Sequence, residues 1–198
     1  MNIPIAANLK QKNASKYDRL SKAFHWLTAI AVVAAFTLGP GNFGELIKQG
    51  IDPGTRIDIV WHESLGLLIF TLTLLRLIWV TLRPAAPKFR MAIWMRWLSK
   101  LTHFALWALL FALPLSAVLA LGSEGHPLTL LGGFRITEIS FIANARLADL
   151  VDWGEVHKVL GDVIMWLAGI HAFAAIYHHI FLKDGVLNSM LPLPTRSP

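Results

Sequence analysis

The chain contains no cysteine, and only 15% of its 198 residues are charged. Without thiols it can form no disulfide, zinc–thiolate site, iron–sulfur cluster or covalently attached c-type haem. Its first 22 residues are polar, so no apolar run predicts a cleavable signal peptide. Hydrophobic residues make up 55% of the chain and its mean hydropathy is +0.55, which indicates a polytopic membrane protein.

Four apolar segments have about the 20 residues that a helix needs to cross a bilayer: 23–40, 59–82, 101–121 and 156–182. Pro114, inside the third segment, is expected to kink its helix. The long connection 122–155 is predicted to begin as a loop and to end in a short amphipathic helix on the outer surface. We therefore predict an all-α protein, a four-helix membrane bundle that forms a single domain over residues 1–198.

The net charge of +6 is distributed unequally between the two sides of these spans. Twelve basic residues lie in the N-terminal segment, the second connection and the C-terminal tail, and four lie in the first and third connections. The positive-inside rule then predicts that both termini are cytoplasmic. Because the basic residues flank apolar spans, they indicate contact with the membrane surface and not with nucleic acid.

The fourth span contains histidines at membrane depth, where ionisable groups are costly and usually functional. His157 and His171 are fourteen residues apart. On an α-helix they share a face to within about 40° and lie roughly 21 Å apart along the axis. This distance is too long for one metal ion, so the spacing favours two separate sites stacked across the bilayer.

Histidines of other spans match these two in depth. His62 opens the second span on the outer side, as His157 opens the fourth, and His25 lies near the inner end of the first span, as His171 does in the fourth. Two imidazoles from different helices are what bis-histidine ligation of a haem iron requires, and such cofactors are held in bundle cores. The pattern therefore predicts two haem sites with iron ligands His25, His62, His157 and His171.

A small residue follows each of these four histidines one turn later, on the same helix face: Ala29, Gly66, Gly161 and Ala175. The other span-end histidines are followed by larger side chains, as in His103 with Trp107. Small residues leave room for a porphyrin beside its ligand. They are also common in membrane helices, so the match alone does not identify the ligands.

Several further residues have two readings each. His178, seven residues after His171, is the alternative inner ligand or a hydrogen-bond donor to a quinone. Arg76 either snorkels to lipid headgroups or pairs with a haem propionate or quinone oxygen. His103 is an interfacial residue or a hydrogen-bond donor. The carboxylates Glu63 and Asp162 either accept a hydrogen bond from a ligand ring or face the aqueous boundary.

The motifs taken together resemble the bacterial cytochrome b561 family, in its superoxide oxidase-like branch, over nearly the whole chain. The motif residues are Tyr17, Arg19, Leu20, His25 and Trp26, the helix-opening His62 and His157, the segment 112–114, His171, and the run 178–184 with the pattern His-His-x-Phe-x-Lys-Asp.

The resemblance implies a bacterial inner-membrane protein with two haem b groups bound by the four histidines. It implies transfer of single electrons across the bilayer to or from quinone, with superoxide:ubiquinone oxidoreductase as the specific activity. The alternative is a cytochrome b subunit that links a partner oxidoreductase, such as a hydrogenase, to quinone. A third possibility is a small transporter that uses its histidines without redox chemistry. An absorption spectrum distinguishes it from the two redox functions, because only those require haem.

Candidate site residues follow from the motifs and the placement of charge. Arg19, Arg76, His103 and His178 are candidates for binding haem or quinone. Lys158 and Arg135 are candidates for attracting superoxide, because a positive surface raises the encounter rate of a small anion. The expected partners are lipid, quinone, superoxide and, in the alternative, another oxidoreductase.

Overall fold

Four long helices make up most of the computed structural model, which describes residues 16–41, 43–83, 86–89 and 91–192. They are α1 (Arg19–Leu38), α3 (Ile57–Leu82), α4 (Ile93–Ser123) and α5 (Trp153–Tyr177), the last continued by a π-helix, His178–Leu182. Each is long and apolar enough to cross a membrane. The predicted all-α, four-helix membrane bundle is confirmed.

Shorter elements lie in the connections: α2 (Phe43–Lys48), a 3-10 helix (Pro53–Thr55), strands β1 (Leu128–Thr129) and β2 (Arg135–Ile136), a second 3-10 helix (Glu138–Asn144) and α6 (Val186–Met190). The strands pair antiparallel in a hairpin that the sequence did not predict, since two residues are too few to show alternation. Where a short amphipathic helix was expected, the structure has the second 3-10 helix packed on α4, followed by turns.

The ends of the spanning helices follow local capping chemistry. Asp18 accepts a hydrogen bond from the Ser21 amide at 2.8 Å, and Asp152 accepts one from the Glu155 amide at 3.0 Å. These side chains satisfy amides that have no partner within the helix, so they define where α1 and α5 begin. Pro114 lies inside α4, which continues through it as one helix.

The spanning helices pack chiefly in two pairs, α1 with α3 and α4 with α5. A small apolar core joins all four helices, formed by Ala31, Ala35, Ile69, Leu109, Leu110 and Ile164. Many large apolar side chains remain exposed, among them Ile78 on α3 and Trp166 on α5. In a bilayer these side chains contact lipid, so the core lies at the centre of the bundle and the rest of each helix faces the membrane.

Both ends of the described chain meet on one side of the bundle. The Trp26 indole donates to the Met190 carbonyl at 2.9 Å, and the Lys22 Nζ donates to the Leu191 carbonyl at 2.9 Å. Four spans require this arrangement. That the shared side is cytoplasmic stays a prediction from the distribution of basic residues.

Candidate functional site

His62 of α3 and His157 of α5 face each other, with ring centres 5.9 Å apart and ring planes at 87°. The Nδ1 atom of His62 lies 2.7 Å from the Ala35 carbonyl, and that of His157 lies 3.0 Å from the Leu113 carbonyl and 3.1 Å from Ser116 Oγ. A carbonyl oxygen only accepts, so each Nδ1 carries the proton. Each Nε2 therefore keeps its lone pair, which is the state that binds a metal.

The Ala35 carbonyl is available because of how α1 ends. The Gly39 amide donates to the Phe36 carbonyl at 3.3 Å and not to the Ala35 carbonyl, which would be its α-helical partner. The Ala35 carbonyl is therefore left without a hydrogen bond from the Gly39 amide. A Cβ on Gly39 would lie only 3.3 Å from His62 Cε1. The glycine therefore lets the end of α1 approach the ring closely enough to hold it.

His25 of α1 and His171 of α5 form the second contact, with ring centres 6.4 Å apart and ring planes at 70°. A third imidazole belongs to this group, because the ring of His103 lies 5.1 Å from that of His171. The Nδ1 atom of His103 is 2.6 Å from the Ser99 carbonyl, so its Nε2 is again the free nitrogen. The structure thus brings together two histidines at the end of the bundle away from the ends of the described chain, which is the predicted outer end, and three at the other end, the predicted inner end.

These separations test whether a metal fits between the rings. Metal–imidazole bonds are about 2.0–2.1 Å long, and with the ring centre roughly 1.1 Å beyond the nitrogen, two opposed ligands would have centres roughly 6.2–6.4 Å apart. The 6.4 Å between His25 and His171 falls in this range, and the 5.9 Å between His62 and His157 lies just below it. Both separations therefore fit two imidazoles that would hold one metal ion between them. Within the described residues no three or more His, Cys, Asp or Glu side chains are placed to hold one metal ion together, and this includes the group of His25, His103 and His171.

Two glycines beside His62 and His157 face open space. A Cβ built on Gly66 or Gly161, one turn after His62 and His157, would meet no atom within 4 Å although both glycines are partly buried. Near the inner pair, the hydroxyl of buried Thr28 has no hydrogen-bond partner among the described residues. Open volume and an unpaired buried hydroxyl both fit a bound group at these positions.

The candidate residues for haem propionate or quinone are found in separate contacts. The Arg76 guanidinium lies 5.1 Å from the centre of the Trp107 ring and close enough to His25 and His171 to act on them electrostatically. His178 opens the π-helix, and its Nδ1 is bonded to the Asp184 carboxylate. None of the contacts in the described chain joins His178 to Arg76 or His103.

Arg19 is the first residue of α1 and is exposed. It precedes His25 by six residues, which is roughly 9 Å along a helix axis. The structure therefore places it at the boundary of the bundle, nearer to lipid headgroups than the imidazoles are.

Both cations predicted to attract superoxide are paired with carboxylates. Arg135 makes two hydrogen bonds to Asp52, at 2.8 and 2.9 Å, and Lys158 lies 3.3 Å from Glu155. The Arg135 hydrogen bonds, with a backbone amide, hold the pKa of Asp52 below its ordinary value of 3.8. Little net charge from either cation is then left to act at a distance.

Glu63 plays a part that the sequence did not predict. It is buried beside His62, and its Oε2 accepts a hydrogen bond from the Thr129 amide at 2.5 Å. Next to it, Ser64 Oγ accepts one from the Leu131 amide at 2.9 Å. These bonds attach the β1–β2 hairpin to the outer end of α3.

Of the two interpretations of Glu63 and Asp162, the first, acceptance of a hydrogen bond from a histidine ring, is not what the structure has: backbone carbonyls hold the rings of His62 and His157. Glu63 bonds the hairpin, and Asp162 is exposed. Ala35 and Leu113 carry no sequence signal for this role, because every residue has a carbonyl and only the packing of α1 and α4 selects these two.

Four spanning helices with two groups of neighbouring imidazoles are the arrangement expected of a helical membrane protein that holds cofactors between its helices. The family model described as prokaryotic cytochrome b561 matches residues 16–193, and the chain belongs to this family. It is accordingly a bacterial membrane protein of electron transfer, from a family that binds haem b.

Individual relatives agree over most of their length. The chain is 31% identical over 177 residues to cytochrome b561 homolog 2 of Escherichia coli (strain K12), covering 89% of this chain and 91% of the relative. It is 29% identical over 185 residues to probable superoxide oxidase CybB of Yersinia pestis, covering 89% and 96%. It is 26% identical over 183 residues to cytochrome b561 homolog 1 of Escherichia coli (strain K12), covering 90% and 98%.

Proposed function

We propose that this protein is a di-haem b oxidoreductase that moves single electrons across the bilayer to or from quinone. His62 and His157 hold the outer haem, and His25 and His171 hold the inner one. The observation that carries the proposal is the spacing of the two ring pairs, which fits two imidazoles that would hold one metal ion. When bound, the haems supply one-electron carriers at two depths.

The chain's own groups orient the ligands. The carbonyls of Ala35 and Leu113 fix the outer rings with Nε2 directed away from the hydrogen bond. A hydrogen bond from the second nitrogen also raises the basicity of the ligand. At the inner site the guanidinium of Arg76 supplies positive charge, which suits a propionate.

The test is haem content and spectrum. The purified chain should contain two haem b groups by pyridine haemochrome assay and should show a Soret band and an α-band on reduction. A chain purified from haem-replete cells without either band would remove the proposal.

Quinone is proposed to bind on the inner side, near His178. Its reduction needs electrons, a hydrogen-bond donor to its carbonyl and a source of protons. The proposed inner haem would supply the electrons. The imidazole of His178 would donate the hydrogen bond and pass the protons, because its ring nitrogens can both hold and release a proton. An open cavity of about 330 Å³, lined by His179, Lys183, Gly185 and Asn188, adjoins this segment.

The variant His178→Ala should keep both haems, and the electron donor should still reduce them. Quinone reduction should slow at least tenfold, equivalent to about 1.4 kcal/mol in the barrier. His126→Ala, in the outer connection, is the matched control. Normal quinone turnover in His178→Ala would move the site elsewhere.

Superoxide is the proposed electron donor, so that the full reaction is superoxide:ubiquinone oxidoreduction. The support is the relative from Yersinia pestis whose name is probable superoxide oxidase. Lys158 and Arg135 are the proposed points of approach for superoxide. Because each cation is paired with a carboxylate, replacing both should slow superoxide oxidation by no more than a few-fold. Stopped-flow reduction of the oxidised haems by superoxide, with and without ubiquinone, tests the activity directly.

A second candidate is an electron-carrier subunit that accepts electrons from a partner oxidoreductase. The charge of the outer connections favours it, since segments 43–58 and 122–158 contain eight acidic and five basic residues. Such a surface does not steer an anion and suits a basic protein. A stable partner after gentle purification, with superoxide rates independent of salt, would support this candidate over the first.

A further inference from the structure

His178 and Asp184 are bonded although they are six residues apart. In a continuous α-helix, residues six apart point in different directions, so this contact needs a change in the backbone. Two features provide it: the π-helix His178–Leu182 and Lys183, which has a left-handed backbone with φ 50° and ψ 34°. A lysine is unfavourable in that conformation, and both π-helical turns and such residues are concentrated at functional sites.

The carboxylate of Asp184 is held at both oxygens. Its Oδ1 accepts a hydrogen bond from the Val186 amide at 3.1 Å, and its Oδ2 bonds His178 Nδ1. Only 16% of the His178 side chain and 14% of the Asp184 side chain are exposed. The pair is therefore fixed in orientation while one edge stays within reach of water.

This bond decides which nitrogen of His178 is available. An ionised carboxylate only accepts hydrogen bonds, so Nδ1 carries a proton in both charge states of the ring. Nε2 then presents a lone pair when the ring is neutral and an N–H when it is protonated. The free edge of His178 can accept a proton or donate one without any movement of the ring.

We propose that Asp184 is a positioning residue that makes His178 the proton-exchange group of the quinone site; this rests on the quinone site proposed above. In the direction of reduction, the Nε2–H of protonated His178 donates to a quinone oxygen. When the quinone is reduced, its oxygen would take this proton, so that the N–H bond breaks as an O–H bond forms. Water restores the proton, and a second electron and proton complete the quinol.

The surrounding charges explain why a carboxylate is needed. His179 and Lys183 lie on the same segment, and Lys22 of α1 reaches the adjoining turn. Helix α6 contributes no titratable side chain, and Asp18 of α1 is engaged as its N-cap. Among the described residues, Asp184 is thus the carboxylate bonded to His178, and its negative charge faces the Nδ1 edge of the ring.

The test compares Asp184→Asn with His178→Ala in the haem-loaded protein. The amide keeps the size of the side chain and an oxygen for the Val186 amide, but it no longer supplies a charged acceptor to His178. We expect both haems to remain, kcat for quinone reduction to fall about tenfold with little change in KM, and the solvent deuterium isotope effect to rise. Asp184→Glu, which keeps the carboxylate, should recover part of the rate.

A readout independent of turnover is the tautomer of His178, followed by infrared spectroscopy of protein with labelled histidine, with His178→Ala to assign the band. The Nδ1–H signature should be lost in Asp184→Asn and kept in Asp149→Asn, the same change at an exposed position.

The two proposals fail in different ways. Slow turnover in His178→Ala with normal turnover in Asp184→Asn would overturn the role of Asp184 and leave the quinone site intact. Normal turnover in His178→Ala would overturn the site and the inference together. If Asp184→Asn loses haem or thermal stability to the same extent as it loses quinone reduction, Asp184 has a structural role and the inference is overturned.

Discussion

The Nδ1 atom of His62 lies 2.7 Å from the carbonyl oxygen of Ala35, in the last turn of α1. That carbonyl is available because the helix closes early, with the Gly39 amide bonded to Phe36. The end of one spanning helix thereby orients a proposed haem ligand on the next. Changes at the end of α1 should therefore affect the outer haem before they affect the fold.

Gly39→Ala tests this coupling. The new methyl group would lie 3.3 Å from His62 Cε1, and since φ at this position is −61° the backbone itself accommodates alanine. Overpacking of this kind costs about 1–3 kcal/mol. We expect a shifted midpoint potential or lower occupancy of the outer haem alone, measured by spectroelectrochemical titration. Gly44→Ala, whose Cβ would meet no atom within 4 Å, should behave as the unmodified protein does.

Gly161→Leu should fill the open space one turn after His157. If a porphyrin occupies that space, haem content should fall from two to about one per chain, because a leucine and the macrocycle cannot share the volume. Gly169→Leu is the matched control on the same helix, at an exposed position. Equal haem content in the two variants would show that the macrocycle lies elsewhere.

Removing single ligands should remove single haems. His62→Ala or His157→Ala should lose the outer haem, and His171→Ala the inner one, so that pyridine haemochrome assays give about one haem per chain. At the inner site His103 lies 5.1 Å from His171 and can replace a lost partner. We therefore expect His25→Ala to retain some inner haem with an altered spectrum and His25→Ala/His103→Ala to lose it. An inner haem that survives His171→Ala but not His178→Ala would identify His178 as the ligand.

Glu63→Ala should loosen the β1–β2 hairpin. The change removes the acceptor of the buried Thr129 amide, which costs about 1–3 kcal/mol. Hydrogen exchange of the Thr129 and Leu131 amides should accelerate, whereas it should stay unchanged in Glu138→Ala, an exposed carboxylate of the same connection. Unchanged protection in Glu63→Ala would mean that the hairpin is held by other contacts.

The Asp52–Arg135 pair should make hairpin attachment sensitive to acid. The pKa of Asp52 is lower in the folded protein than its ordinary value of 3.8, chiefly through the Arg135 hydrogen bonds. Its contribution to stability is therefore complete above about pH 4 to 5 and is lost as the pH falls through the lowered pKa. Hydrogen exchange of the hairpin, corrected for intrinsic rates, should increase below about pH 4, and Asp52→Asn should remove that dependence.

The sequence by itself determined the four spanning helices and which histidines meet. Apolar length marks a span wherever it occurs, because a bilayer requires about 20 apolar helical residues. Depth along a helix follows from residue number, so the sequence predicts the pairs His62 with His157 and His25 with His171 that the structure brings together. The helix bounds differ from the apolar segments mainly at the ends. Helix α4 begins at Ile93, whereas the apolar segment begins at residue 101, because Arg96 and Lys100 interrupt the apolar pattern in the first turns of the helix.

Only the tertiary structure decided what holds those rings and which charges are paired. The carbonyls of Ala35 and Leu113 became acceptors through the packing of α1 and α4, and a backbone carbonyl has no residue-specific signal. Arg135 meets Asp52 across 83 residues, and His178 meets Asp184 only because the backbone departs from the α-helix between them. Contacts of these kinds depend on where separate segments come to lie, which local periodicity does not encode.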